Sequence, residues 1–376
     1  MRIHALKTIA GKEFRDHVRS RKFHLIFGIF LVIALVSLAS GMAQYQEELE
    51  TYNEAYGDVS DEARAQMPAS MIPSPLSGFT QMAYFIGTLG AVLGCAMGFD
   101  LVTREKESKS LKLLLSHPVY RDEVINGKAL GGAGAIALAM AIVLVLALAV
   151  LLVFGVVPSF EETVRVLIFG GLSFLMVFSF FILALFFSTV AKDSGSALVL
   201  TLVLFVPLSA VTILVISGPA ITFLIGDPPE PPESPGFTYT FDTEAGSTGS
   251  GTTVISDKPT EVAFDQEEYQ EKMEEYREES RAYWERRTAI TDTFTLLSPD
   301  QNYQRLAFAV TEPGLEAARQ HQGENALFDP MTEPKDGLST FFGLLGGLSQ
   351  RIIALFVFPA AFFGLAWVQF AREDIR

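Results

Sequence analysis

Six apolar segments, each about 20 residues or longer, fix the medium in which this chain must fold. They cover residues 24–43, 79–101, 130–157, 164–190, 197–225 and 338–370. A helix rises about 1.5 Å per residue, so about 20 residues cross the ~30 Å hydrocarbon core of a bilayer. Every backbone N–H and C=O must be bonded internally there, which makes helix the form for segments of this length. Hydrophobic residues make up 49% of the chain and mean hydropathy is positive, which argues against an ordinary soluble domain. The expected fold is an all-α integral membrane protein with six transmembrane helices. Gly218-Pro219 is expected to end the fifth span early. Gly346-Gly347 divides the sixth and leaves 352–370 as its spanning part.

Charge sets the orientation. Arg15, Arg19, Arg21 and Lys22 precede the first span and place the N-terminus on the cytoplasmic side. Alternation then puts residues 44–78 outside, 104–128 inside, 226–339 outside and the C-terminus inside. The acids agree: 44–78 carries 7 acids and 1 base, and 226–339 carries 24 acids and 9 bases. The net charge of −15 therefore sits in two outer loops. The first 23 residues carry 7 bases and 2 acids, a basic region too long for a signal peptide. Ile3, Leu6, Ala10, Phe14 and Val18 share one helical face, with Lys12, Arg15 and Arg19 opposite. That pattern predicts an amphipathic helix on the inner membrane surface.

The chain thus divides into an interfacial helix (1–23), spans one to five (24–225), an acidic extracytoplasmic loop (226–339), and a last span with a short cytoplasmic tail (340–376). Within the acidic loop, 226–258 is rich in Pro, Gly, Ser and Thr and reads as flexible. Residues 262–292 read as a helix, with Tyr269, Tyr276, Tyr283 and Ile290 every seven residues. Glu268–Lys272 and Glu278–Arg281 can pair on its exposed face. A solvated helix packed on its own loop, an outer cap and a dimer seam all fit that stripe.

A polar island, residues 104–128, separates the second and third spans. It reads REKESKSLKLLLSHPVYRDEVINGK and carries six bases: Arg104, Lys106, Lys109, Lys112, Arg121 and Lys128. Leu111, Leu114 and Leu115 form an apolar stripe on a short helix; Pro118 interrupts it. Arg121-Asp122-Glu123 then opens a second helix with acids at its positive end. A cytoplasmic loop with a leucine stripe is built to meet a soluble partner. No GxxxxGK[ST] occurs, since Gly127-Lys128 continues into Ala129 without the upstream glycine. HExxH, GxSxG and paired-cysteine motifs are also absent, and the five histidines are scattered. Catalytic, cofactor and metal residues are therefore not expected. Cys95 reads as a packing residue, Asp100 as a partner for Arg104, and Arg351 as an outer-interface cation. Ser173, Ser179, Ser188, Thr201 and the glycines within 87–98 and 127–134 read as helix-packing positions.

The island resembles the cytoplasmic loop of permeases in the ATP-binding-cassette (ABC) type 2 exporter family. The similar branch is that of multicopper-enzyme maturation permeases, which includes the nitrous-oxide reductase accessory permease. The shared elements are Arg104-Glu105-Lys106-Glu107, the leucines from Leu111 to Leu115, Ser116-His117-Pro118, Asp122-Glu123 and Gly127-Lys128. Where the family commonly has Gly-Thr before the leucines, Lys109-Ser110 stand here. Phe294 to Val310 also resembles the Leu-Ser-Pro segment of this branch. The resemblance implies a multi-pass permease of the cell membrane, paired as a homodimer in lipid, with an ABC ATPase subunit docked on the cytoplasmic side. ATP and magnesium would belong to that partner, and this chain would bind no cofactor. Its island would be the coupling helix: Leu111, Leu114, Leu115 and Pro118 at the contact, with Arg104, Glu105, Glu107, Arg121, Asp122 and Glu123 around it. The alternative is a non-transporting, ATPase-linked scaffold or maturation factor acting on an extracytoplasmic protein partner. A nucleic-acid partner is not expected, and the residues identify no cargo.

Overall fold

A computed structural model describes residues 3–57, 59–60, 71–110, 120–232, 266–316 and 338–373. All twelve of the named elements among these are helices: α1 (Ile3–Arg19), α2 (Arg21–Tyr56), α3 (Gly78–Gly98), α4 (Thr103–Glu107), α5 (Arg121–Val153), α6 (Phe160–Val190), α7 (Ser194–Ile216), α8 (Pro219–Ile225), α9 (Gln266–Leu296), α10 (Pro299–Thr311), α11 (Leu338–Gly347) and α12 (Ser349–Arg372). Among the described residues, five segments are long and apolar enough to cross a membrane: α2, the run from α3 through α4, α5, α6 and α12. Ser194–Ala210 within α7 is a shorter apolar helix. The expected breaks occur: Gly218 turns the chain with φ +100° between α7 and α8, and α11 ends at Gly347 before α12 begins.

The chain forms two units, Met1–Thr212 with Thr295–Arg376, and Ile213–Phe294. In the first, α3 lies against α6 along a glycine face. A side chain at Gly94 would collide with the Val177 carbonyl, and one at Gly98 with that of Phe181. At Gly90 it would stand 2.9 Å from Val177 Cγ2. Three glycines spaced by four residues make one bare stripe, so the two backbones approach closely. α5 uses the same device toward α1: a Cβ at Gly127 would meet Ile9 at 2.6 Å, and one at Gly131 would meet Ala10 O at 2.9 Å. The predicted amphipathic helix is thus present and is docked on the start of α5. Aromatic rings fill the interior, with Phe79 on Phe169 (5.3 Å), Phe180 on Phe205 (5.4 Å) and Phe358 on Phe362 (4.8 Å).

Two boundaries differ from the sequence reading. The first span was expected to end at Ala43, but α2 continues to Tyr56 as one 36-residue helix. The continuation carries four Glu and two Gln, good helix formers in water. The expected outer loop also contains α10, which folds into the first unit. Tyr303 is buried there, and its hydroxyl lies 2.9 Å from Ser173 Oγ. Asp300 lies in the first turn of α10 and Pro299 opens it, as helix starts favour.

The second unit holds α8 and most of α9. α9 carries the predicted Glu268–Lys272 pair at 2.7 Å. Arg281 pairs forward with Glu285 at 3.0 Å, where the sequence reading joined it to Glu278. Tyr283 donates to the Gly226 carbonyl at 3.3 Å, and Arg287 lies over the Trp284 ring at 4.9 Å. Residues 233–258 and 262–265 lie outside the described residues.

Candidate coupling site

The described flanks of the polar island gather several helices at one end of the first unit. Lys128 in the second turn of α5 is 1% exposed. Its Nζ lies 3.1 Å from Glu13 Oε1 on α1 and 2.7 Å from Glu105 Oε1 on α4. Lys12 closes the cluster from the solvent side, 3.3 Å from Glu13 and 3.6 Å from Glu105. Two ammoniums and two carboxylates cancel, which is the condition for holding such charges out of water. Burial alone would raise the Glu13 carboxyl; Lys128 and Lys12 outweigh it and hold Glu13 below its ordinary value. Lys12 is held above its ordinary value, because Glu13 and Glu105 outweigh its own desolvation. His17, one turn further along α1, is pushed down by burial, with Glu13 and Asp100 only partly opposing.

Neighbouring contacts extend the cluster. Lys106 Nζ donates to the Thr189 and Ala191 carbonyls at 2.7 and 3.1 Å, a cation on the negative end of α6. The same ammonium pairs with Glu373, just past α12, at 2.6 Å. Arg121 donates to the carbonyls of Ala371 (3.1 Å) and Glu373 (2.5 Å). Ser188 Oγ accepts from the backbone N–H groups of Val102 (2.9 Å) and Thr103 (3.1 Å), where α4 begins. Glu107 accepts from the N–H of Ser194, the first residue of α7, at 2.6 Å. Short segments on both sides of the island are therefore bolted to α1, α5, α6, α7 and α12.

Six of the ten expected contact residues lie among the described residues. Arg104 is exposed on α4. Glu105, Glu107 and Arg121 make the intrachain bonds just described. Glu123 is fully buried and accepts from the Tyr120 N–H at 3.2 Å, capping α5. Asp122 is half-buried in the first turn of α5. Leu111, Leu114, Leu115 and Pro118 lie outside the described residues. Lys109, where the resembling family has glycine, adopts φ +56°, the left-handed conformation glycine takes without strain. Asp100 pairs with Lys22 at 3.2 Å rather than with Arg104, and Lys22 also stands 3.9 Å above the Phe99 ring. Arg351 Nη1 reaches Thr295 Oγ1 at 3.4 Å.

Lys128, Glu13, Lys106, Glu373 and Ser188 were not singled out as site residues by sequence. One signal was available: Glu13 interrupts the face of α1 that carries Ala10 and Phe14, and Lys128 stands at the entrance of an apolar run. An isolated charge at such a position asks for a partner of opposite sign.

Among the described residues the elements are helices, and five are long and apolar enough to span, which fits a multi-pass protein of the cell membrane. The chain belongs to the ABC-2 family of transporter proteins, whose family model matches residues 7–375. It is similar to the probable ABC transporter permease protein NosY of Pseudomonas aeruginosa, with 30% identity over 193 residues, half of this chain. A second relative is the probable ABC transporter permease protein NosY of Stutzerimonas stutzeri, 27% identical over 124 residues, 33% of this chain. The matches span 62% and 37% of the lengths of these two relatives.

Proposed function

We propose that this chain is the membrane subunit of an ABC exporter, and that a separate ATPase subunit docks on residues 104–128 and drives it. In this reading α7 supplies a sixth span, both termini are cytoplasmic, α1 lies at the inner membrane interface, and two copies pair as a homodimer. ATP and magnesium are bound by the ATPase and not by this chain. The observation that carries the proposal is the convergence of α1, α5, α6 and α12 on the two flanks of the island. A push on the island reaches four helices at once through charge-assisted bonds, which are stiffer than apolar contact alone. Leu111, Leu114 and Leu115 supply the apolar contact surface and Arg104 an exposed charge at its edge. Glu105, Arg121 and Glu123 hold the frame that receives the load.

Purification from native membranes in mild detergent tests this. A Walker-motif ATPase is expected at equal stoichiometry and is expected to be lost in the Leu111→Asp/Leu114→Asp variant. Retention of an outer soluble protein with no ATPase would replace the exporter by a scaffold. Substrate flux in vesicles, abolished by the same variant with membrane insertion intact, separates transport from scaffolding.

A further inference from the structure

At the end of the first unit remote from Lys128, α2, α3 and α10 enclose an open groove of about 1480 Å³. Its location follows from two contacts. Lys22 at the start of α2 sits beside Asp100, whereas Gln46 farther along reaches the Phe154 carbonyl at the far end of α5. Its shape follows from a crossing. Gly41 and Gly78 touch backbone to backbone, so a Cβ at Gly41 would stand 2.6 Å from the Gly78 carbonyl. α3 begins at that crossing, while α2 runs on to Tyr56. The wedge between them is closed by the end of α10. Ser74 Oγ donates to the Thr311 carbonyl at 2.9 Å, and Thr80 and Thr311 hydroxyls meet at 2.8 Å. These bonds fix the floor, so the groove is built into the fold.

Its lining has two characters. Glu47 and Glu48 line the α2 wall and Glu312 the α10 wall. No cation pairs with these three carboxylates among the described residues. Tyr52 and Tyr56, whose rings lie 5.3 Å apart, line it with Tyr84, and Met71, Ile72 and Leu315 add apolar surface. On the floor, Ser77 Oγ is buried with no hydrogen-bond partner among the described residues. Acids facing each other across a gap repel until a positive charge enters. Tyrosine faces favour the same sign of charge, and the apolar lining takes a hydrocarbon body.

We propose that this groove is a binding site for an amphipathic organic cation, with its charge held by Glu312, Glu47 and Glu48 and its apolar body on the tyrosines. Binding does not depend on the exporter reading, which bears only on whether such a ligand is cargo. Burial, reinforced by Glu48, raises Glu312 to about 7. Among the described residues, the other charged groups near Glu312 are Glu47 and Glu48 on α2, Glu162 and Arg165 on α6 in an adjoining crevice, and Glu316, one turn on, which is paired with Arg305. Arg165 is paired with Glu161, and Glu162 caps Ser159. Titration of Glu312 therefore sets the charge of its wall, and affinity falls as pH drops through 7.

The test is fluorescence polarisation of ethidium with the purified full-length protein in neutral detergent. Saturable binding is expected at pH 8, weakening at pH 5.5. Glu312→Gln should remove most of that pH dependence. Glu47→Gln/Glu48→Gln/Glu312→Gln should weaken binding about tenfold or more, the loss of at least one charge contact at close range. Both variants are judged by elution as a single species; if the triple variant fails that criterion, the pH profile of Glu312→Gln decides. Absence of saturable binding, or equal affinity and pH profile in wild type and Glu312→Gln, overturns the proposal.

Discussion

Replacing Lys128 by methionine keeps the length of the side chain and removes its charge. Glu13 and Glu105, 7% and 16% exposed at their side chains, then face each other without the ammonium that bridged them at 3.1 and 2.7 Å. Breaking a buried ion pair from one side costs about 3–5 kcal/mol, because a charge stays behind in a poor solvent. Lys12 remains 3.3 and 3.6 Å away but is half exposed, so it recovers only a fraction of that loss. A net loss of about 2–3 kcal/mol is expected, or a fall of roughly 5–10 °C in the thermal midpoint of a domain this size. The assay is heating in detergent followed by size exclusion, reading the monodisperse fraction. The decisive comparison is Lys128→Met/Glu13→Gln/Glu105→Gln, which removes the whole buried triad. If the reasoning holds, the triple variant is more stable than Lys128→Met alone, since no bare carboxylate remains. If the single variant melts like wild type, or the triple variant melts below the single one, the cluster does not hold α1, α4 and α5 by charge.

Other outcomes follow from the same contacts. Ser188→Ala strips two backbone N–H groups at the start of α4 of their acceptor and should cost about 1–3 kcal/mol, read by the same melting assay. Lys109→Gly should raise stability by up to about 1 kcal/mol, because the left-handed backbone is strained for lysine; a drop would show that its side chain matters more. Glu13 and His17 both sit below their ordinary values, so each favours the fold above its unfolded pKa and loses that contribution as pH falls. Melting temperature should therefore decline in two stages, below about 6.5 for His17 and below about 4.5 for Glu13, with Glu13→Gln flattening the second. Gly94→Val drives a branched side chain into the Val177 carbonyl and should abolish recovery of folded protein, whereas Gly343→Val, in open space, should not.

Apolar length made five of the six expected spans legible, because the bilayer imposes a minimum that few other environments require. The breaks at Gly218 and Gly347 were equally readable from glycine and proline placement. The end of α2 was not, since hydropathy marks where lipid stops and not where helix stops. Partner choice was the other blind spot. Asp100 was read with Arg104, four residues away, and instead meets Lys22 from 78 residues away. Lys128 and Glu13 lie 115 residues apart, so nothing local joins them. Lys109 shows the opposite case: the family pattern carries glycine at a position whose backbone proves to be left-handed even when lysine fills it.

The unbroken length of α2 has a mechanical consequence. Its 36 residues make a rod of about 54 Å, some 20 Å longer than a bilayer core is thick. Lys22 anchors the foot beside Asp100 and Phe99; Glu47, Glu48 and Tyr56 ride near the tip. A tilt of about 5° about that foot would carry the tip about 5 Å sideways over such a length. A displacement too small to disturb the packing at one face of the membrane is thereby magnified into one comparable to the width of a side chain at the other.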